Sequence, residues 1–185
     1  MQPEILLKIE KINSRGVIIA RQTYPARSLV AGFIGMLNIQ LAQAAISVTD
    51  ITNTSRSSST YAGNFDMKAP LNISTYGILA GTGTNAVAIG DYKLQTPITH
   101  GTGAGQLQHS SVENNTVLTV DANNAYFEMR RTLTNNSGST ITIKEVAIYA
   151  KLYVSWTAMI ERTAVNTAIL NTAGVILTYK FLKTI

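Results

Sequence analysis

The chain has 185 residues, no cysteine and 14% charged residues, with 15 Lys and Arg against 10 Asp and Glu for a net charge of +5. The length suits one domain around one core, and the missing thiols exclude disulfide staples, thiolate catalysis and Cys-ligated metals. Basic residues are scattered, with no run beyond Arg130 and Arg131, which argues against sequence-specific nucleic-acid binding.

Polarity rests on 23 Thr, 13 Ser and 14 Asn beside 45% apolar residues, a balance that suits strands and turns and offsets the entropy of ordering. At the start, Glu4 to Ile12 and Val17 to Gln22 flank Asn13-Ser-Arg-Gly16, which predicts a hairpin whose glycine takes a positive φ. Tyr24-Pro25 then places a proline at the opening of a helix expected over residues 26–44. Its apolar positions recur at helical spacing, so Phe33, Ile34, Leu37 and Leu41 are expected to face protein and are the interface candidates. Residues 1–48 thus form a hairpin-plus-helix sub-element of a single domain spanning 1–185.

The same stretch, Leu29 to Val48, is uncharged and about as long as a membrane span. Asn38, Gln40 and Gln43 interrupt it, and Gly32 and Gly35 each cost about 1 kcal/mol against Ala, a pattern of close packing on protein rather than lipid. No membrane span is expected. Nor is a secretory signal, because Met1-Gln-Pro-Glu4 carries no basic leader.

Thr49 to Tyr61 is polar and without period, which reads as a long loop or an edge excursion. Leu71 to Ala80 is strand-like, and glycine turns follow at Gly81-Thr-Gly-Thr-Asn85 and Gly101-Thr-Gly-Ala-Gly105. From Gln106 five β-rich runs are separated by Asn, Ser and Gly turns: 106–121, 125–135, 140–151, 156–165 and 174–184. Phe127, Met129 and Leu133 share one face of their strand, as do Val175, Leu177, Tyr179 and Phe181. In Ile141 to Tyr149 the apolar phase changes after Lys144, which predicts a bulge near Lys144-Glu145. The fold class is mainly β, an antiparallel β-sandwich or jelly-roll with one α-helix packed on it.

Chemistry finds no seat. Gly81-Thr-Gly-Thr-Asn-Ala86 only loosely matches a dinucleotide fingerprint and opens no helix, and neither glycine turn carries the Lys-Ser or Lys-Thr of a phosphate loop. His100 and His109 lie nine residues apart with no acidic residue at ligand spacing, and no nucleophile elbow occurs, Ser57, Ser58 and Ser59 lying in the polar loop. Glu128 and Glu145, on runs expected to be neighbours and flanked by Arg130, Arg131 and Lys144, could form a carboxylate pair, but cross-strand ion pairing accounts for them more simply. No catalytic, cofactor-binding or metal-ligating residue is assigned, and no cofactor is expected.

Four segments taken together resemble a group of tailed-bacteriophage virion proteins. They are the hairpin with its Pro-led helix, Gly81-Thr-Gly-Thr-Asn-Ala-Val-Ala-Ile-Gly-Asp-Tyr-Lys-Leu94, the run Arg131-Thr-Leu-Thr-Asn-Asn-Ser-Gly-Ser-Thr-Ile-Thr-Ile-Lys-Glu-Val-Ala-Ile-Tyr149, and Glu161-Arg-Thr-Ala-Val165. Thr163 stands where the group often has Asp, and Asn171-Thr-Ala-Gly174 replaces a Pro-containing turn. The resemblance implies a non-enzymatic structural protein of the virion, either a capsid decoration protein or a head- or tail-attached fibre or adaptor subunit. Its implied partners are other virion proteins and its own copies, a trimer being favoured. With so few charges to solvate the outside, an isolated subunit is expected to expose an apolar patch that partners cover. The rival readings are a carbohydrate-binding β-sandwich, for which Trp156, Tyr61, Tyr76 and Tyr92 could supply an aromatic platform, and a membrane-associated protein.

Overall fold

The structure is a computed structural model that describes residues 4–26, 29–31, 33–36, 46–58, 66–153 and 156–184. Its strands are β1 (Glu4–Ile12), β2 (Ile18–Pro25), β3 (Ile46–Thr49), β4 (Ser55–Ser58), β5 (Gly77–Gly81), β6 (Gln108–His109), β7 (Glu113–Val120), β8 (Asn124–Thr134), β9 (Ile141–Tyr153), β10 (Trp156–Ile169) and β11 (Gly174–Thr184). All of their pairings are antiparallel. The large sheet runs β2-β1-β11-β8, with β6 and β7 both pairing β8, and the smaller one runs β10-β9-β5.

The two sheets form a sandwich because alternating apolar residues of each meet between them. Leu7 and Ile9 of β1, Leu133 of β8 and Val175, Leu177 and Tyr179 of β11 pack with Ile143, Val146 and Ile148 of β9 and Ala158 and Ile160 of β10. Each large aliphatic side chain buried this way contributes about 1.5–3 kcal/mol. The outer face of the small sheet is covered too, by a second cluster of Val30, Leu79, Leu94, Ala147, Tyr149 and Met159. Burial on both faces explains why β5 and the middle of β9 read as unbroken apolar runs.

Two short turns carry the chain between sheets, residues 135–140 from β8 to β9 and 170–173 from β10 to β11. Asn135 stitches them together. Its Nδ2 donates to the carbonyls of Ser139 (2.7 Å) and Ile169 (2.8 Å), its Oδ1 accepts from the Ser137 backbone N–H and hydroxyl, and the Thr172 N–H donates to its carbonyl (2.7 Å). The irregularity expected at Lys144-Glu145 is present, though the extra residue sits on the partner: the register slips between Ala164 and Thr167 of β10, opposite Lys144. In the opening hairpin Gly16 takes φ +76°, as the turn requires, and the Asn13 side chain accepts from the Arg15 and Val17 N–H groups.

Two expectations need correction. The helix does not begin at Ala26: Leu29 makes an antiparallel bridge with Glu161, the Val30 N–H donates to the Ile160 carbonyl (3.1 Å), and among the described residues of this stretch the helical ones are Ala31 and 33–36. The open edge of β10 competes for this backbone and wins it from the first helical turn. The rest of the expected helix, residues 37–44 with Leu37 and Leu41, lies outside the described residues, among which no helix is long and apolar enough to cross a membrane. Of the stretch 49–61, read as a long loop or an edge excursion, residues 49–58 belong to the β3–β4 hairpin and 59–61 lie outside the described residues. Asp50 builds its turn, accepting from the Thr52 and Thr54 N–H groups, the Thr52 hydroxyl and Arg56 Nε (2.7 Å). Burial alone would raise the Asp50 pKa, but these four donors hold it down at about 2.

Candidate functional site

The phase change in β9 turns Glu145 away from the inter-sheet core and under residues 81–97, where it is fully buried. Its Oε1 accepts from the N–H groups of Gly83 (3.1 Å) and Thr96 (2.9 Å), and its Oε2 accepts from the Gln95 N–H (3.1 Å) and Arg162 Nε (2.8 Å). Glycine is needed for this approach, since a Cβ at Gly81 or Gly83 would lie 2.5 Å from Glu145 Oε1. Arg162, adjacent on β10 and equally buried, reaches on to Asp91 Oδ2 (2.8 Å) and to the Asn85 carbonyl (3.0 Å). Burial would lower the Arg162 pKa, and the Asp91 and Glu145 carboxylates more than reverse it. Tyr149 completes the clamp by accepting a hydrogen bond from the Leu94 N–H.

This network gathers residues from three of the quoted segments: Gly81, Gly83, Asp91 and Leu94; Glu145 and Tyr149; and Arg162. Asn135 of the same long run holds the cross-sheet turns. All of Glu145's lone pairs are taken by backbone donors and one guanidinium, so the arrangement fastens a loop to the small sheet.

Glu128 and Glu145 are not a carboxylate pair. Their strands follow one another in sequence but lie in opposite sheets, β8 in the large one and β9 in the small one. Arg130 pairs with Glu113 at the surface (2.9 Å), while Arg131 is buried inside the sandwich. The structure does bring His100 and His109 together, ring centroids 5.9 Å apart, with the His109 N–H donating to His100 Nδ1 (3.0 Å). Burial and the nearby Arg131 push the His109 pKa down to about 4. Among the described residues no group of three or more His, Asp or Glu side chains could hold a metal ion.

A second buried acid, which the sequence reading missed, lies between the sheets. Glu161 accepts from the Thr163 and Tyr179 hydroxyls, each at 2.6 Å, and burial raises its pKa to about 7 against those bonds. The available signal was an acidic residue inside an apolar strand run, Ala158-Met-Ile-Glu161.

Of the interface candidates, Phe33 is half-buried against the core and Ile34 is 57% exposed, while Leu37 and Leu41 lie outside the described residues. A larger apolar exposure lies on and just before β2, which among the described residues is an open edge of the large sheet. Ile18 to Thr23 are exposed throughout, and Val17 and Ile19 are each more than half exposed. A strand edge left open beside a β-branched run is a template for pairing with another chain. Comparisons with protein-family models, curated proteins and solved structures returned no match.

Proposed function

We propose that this chain is a structural subunit of a bacteriophage virion, assembling in many copies as a capsid decoration protein or a head- or tail-attached component. The observation that carries the reading is β2, an open strand edge with Val17, Ile18 and Ile19 in solvent. The motif residues support it from the other side, because they converge on a clamp that stiffens the subunit. Assembly would draw its energy from burying the β2 apolar surface and satisfying its open backbone groups, multiplied over repeated contacts. In the favoured trimer the contact is heterologous, β2 of one copy meeting a different surface of the next, which closes a three-fold ring.

Light scattering on the purified chain tests this reading. The expected mass is three times 19.9 kDa, and Ile19→Lys should return it to the monomer with its circular dichroism intact. Peptide mass spectrometry of purified particles should find the chain in many copies. A stable wild-type monomer at high concentration, together with its absence from particles, rejects the proposal.

A further inference from the structure

A cleft of about 490 Å³ opens where the β3–β4 hairpin meets the start of β10, with the Ile51 N–H bonded to the Thr157 carbonyl (3.1 Å) across its floor. Its volume falls in the range of small-molecule sites. Half-buried Trp156 and Tyr76 line it, and Lys151 Nζ lies 5.7 Å from the Tyr76 ring centre.

The polar groups around it are unbalanced. Asp50 is the acid that lines it among the described residues, and both its oxygens are consumed by Thr52, Thr54 and Arg56. Arg56 spends only Nε on Asp50, which fixes its guanidinium plane. Among the described residues its two terminal amino groups, and Lys151 Nζ, make no hydrogen bond. The cleft therefore offers aromatic surface and cationic donors, while its acid is occupied. A ligand that fits has apolar ring faces and an excess of anionic acceptors. The C–H faces of a pyranose meet the first requirement and a uronate carboxylate meets the second. A phosphate polymer is less favoured, because the basic residues are scattered along the sequence with no run beyond Arg130 and Arg131.

We propose that this cleft binds an acidic oligosaccharide, its ring faces against Trp156 and Tyr76 and its carboxylates taken by Lys151 and the outer edge of Arg56. The site goes beyond the assembly role and stands whether or not the chain forms a trimer.

Trp156 is the chain's only tryptophan, so its fluorescence reports on the cleft directly. Titration of the full chain with a hexuronate hexamer should give a saturable spectral change. Lys151→Gln should weaken it at least about tenfold at unchanged melting temperature, and Arg56→Lys, which keeps a cation beside Asp50 but loses the outer guanidinium edge, should weaken it as well. Maltohexaose, a single-stranded oligonucleotide and inorganic phosphate serve as competing probes. No saturable change with the hexuronate, a change that both substitutions leave intact, or equally tight binding of any competing probe overturns the proposal.

Discussion

Arg131 and Arg162 are the two largest fully buried side chains among the described residues, and they are accommodated in opposite ways. Arg162 lies between two carboxylates, Glu145 and Asp91, each 2.8 Å away. Arg131 has no acidic partner among its bonds. Its guanidinium donates to the carbonyls of Ser110 (2.8 Å), Ile78 (3.2 Å), Tyr76 and Ile73. Burial therefore lowers the Arg131 pKa to about 10, whereas Arg162 is pushed up. A buried cation needs donors matched to acceptors more than it needs a counter-charge, and a fan of backbone dipoles supplies them. The two sites differ in what they hold. Arg162 fastens a loop to the outside of the small sheet, while Arg131 ties residues 73–78 and 110 to β8.

The contrast is sharpest on removal of one partner. Arg162→Ala strips Glu145 of its only cation in a dry site, and the expected loss is about 3–5 kcal/mol, read as a drop in urea midpoint. Residues 83–96 should become open to protease in the same variant. Arg131→Met leaves carbonyls but no charge, so the expected loss is smaller, about 1–3 kcal/mol. Equal losses in the two variants would show that charge pairing adds nothing at Arg162.

Glu161 extends the comparison to an acid without a cation. The unfolded chain releases this proton near pH 4.5 and the folded chain near 7, so unfolding frees a proton in between and stability falls as pH rises through that window. His109 acts the other way. Unfolded it takes up a proton near 6.5, folded only near 4, and stability falls as pH drops between those values. The two slopes oppose each other over the shared range. Glu161→Gln should remove the first and expose the second, leaving urea midpoints that rise with pH up to about 6.5 and then stay level.

The smallest effect belongs to the surface. Arg130 and Glu113 approach as closely as the buried pair, at 2.9 Å, yet both are about half exposed. Arg130→Ala should cost less than about 1 kcal/mol and lose even that in high salt.

Most of the sandwich was legible because alternation reports directly on a face that must be buried. β8 and β11 show it residue by residue, and the phase change in β9 marked the level of the irregularity though not that its extra residue lies on β10. Ile46 to Ser58 was illegible for the converse reason: β4 is all Ser and Arg, the buried Val48 of β3 is too little to set a period, and what closes the turn is one carboxylate, Asp50. The start of the helix was misread because Leu29 and Val30 satisfy a strand edge more than 130 residues away, which no local period reveals. Glu145 and Arg162 were visible as charges in apolar runs. Their partners at residues 83–96 come from another part of the chain, so the clamp could be named only once the strands were placed.

The pairing of β1 with β11 has a consequence for how this molecule is made. Glu4 lies opposite Leu182, so the first described strand has its outer neighbour in β2 early but waits for its inner one until the last described strand is synthesised. At ribosomal rates that interval is roughly 10–30 s. Throughout it the β1–β2 hairpin holds Leu7 and Ile9 with no sheet to cover them. Non-local closure of this kind slows folding and exposes unpaired strands. The nascent chain is thus most vulnerable to sticking to its neighbours before its own final strand arrives.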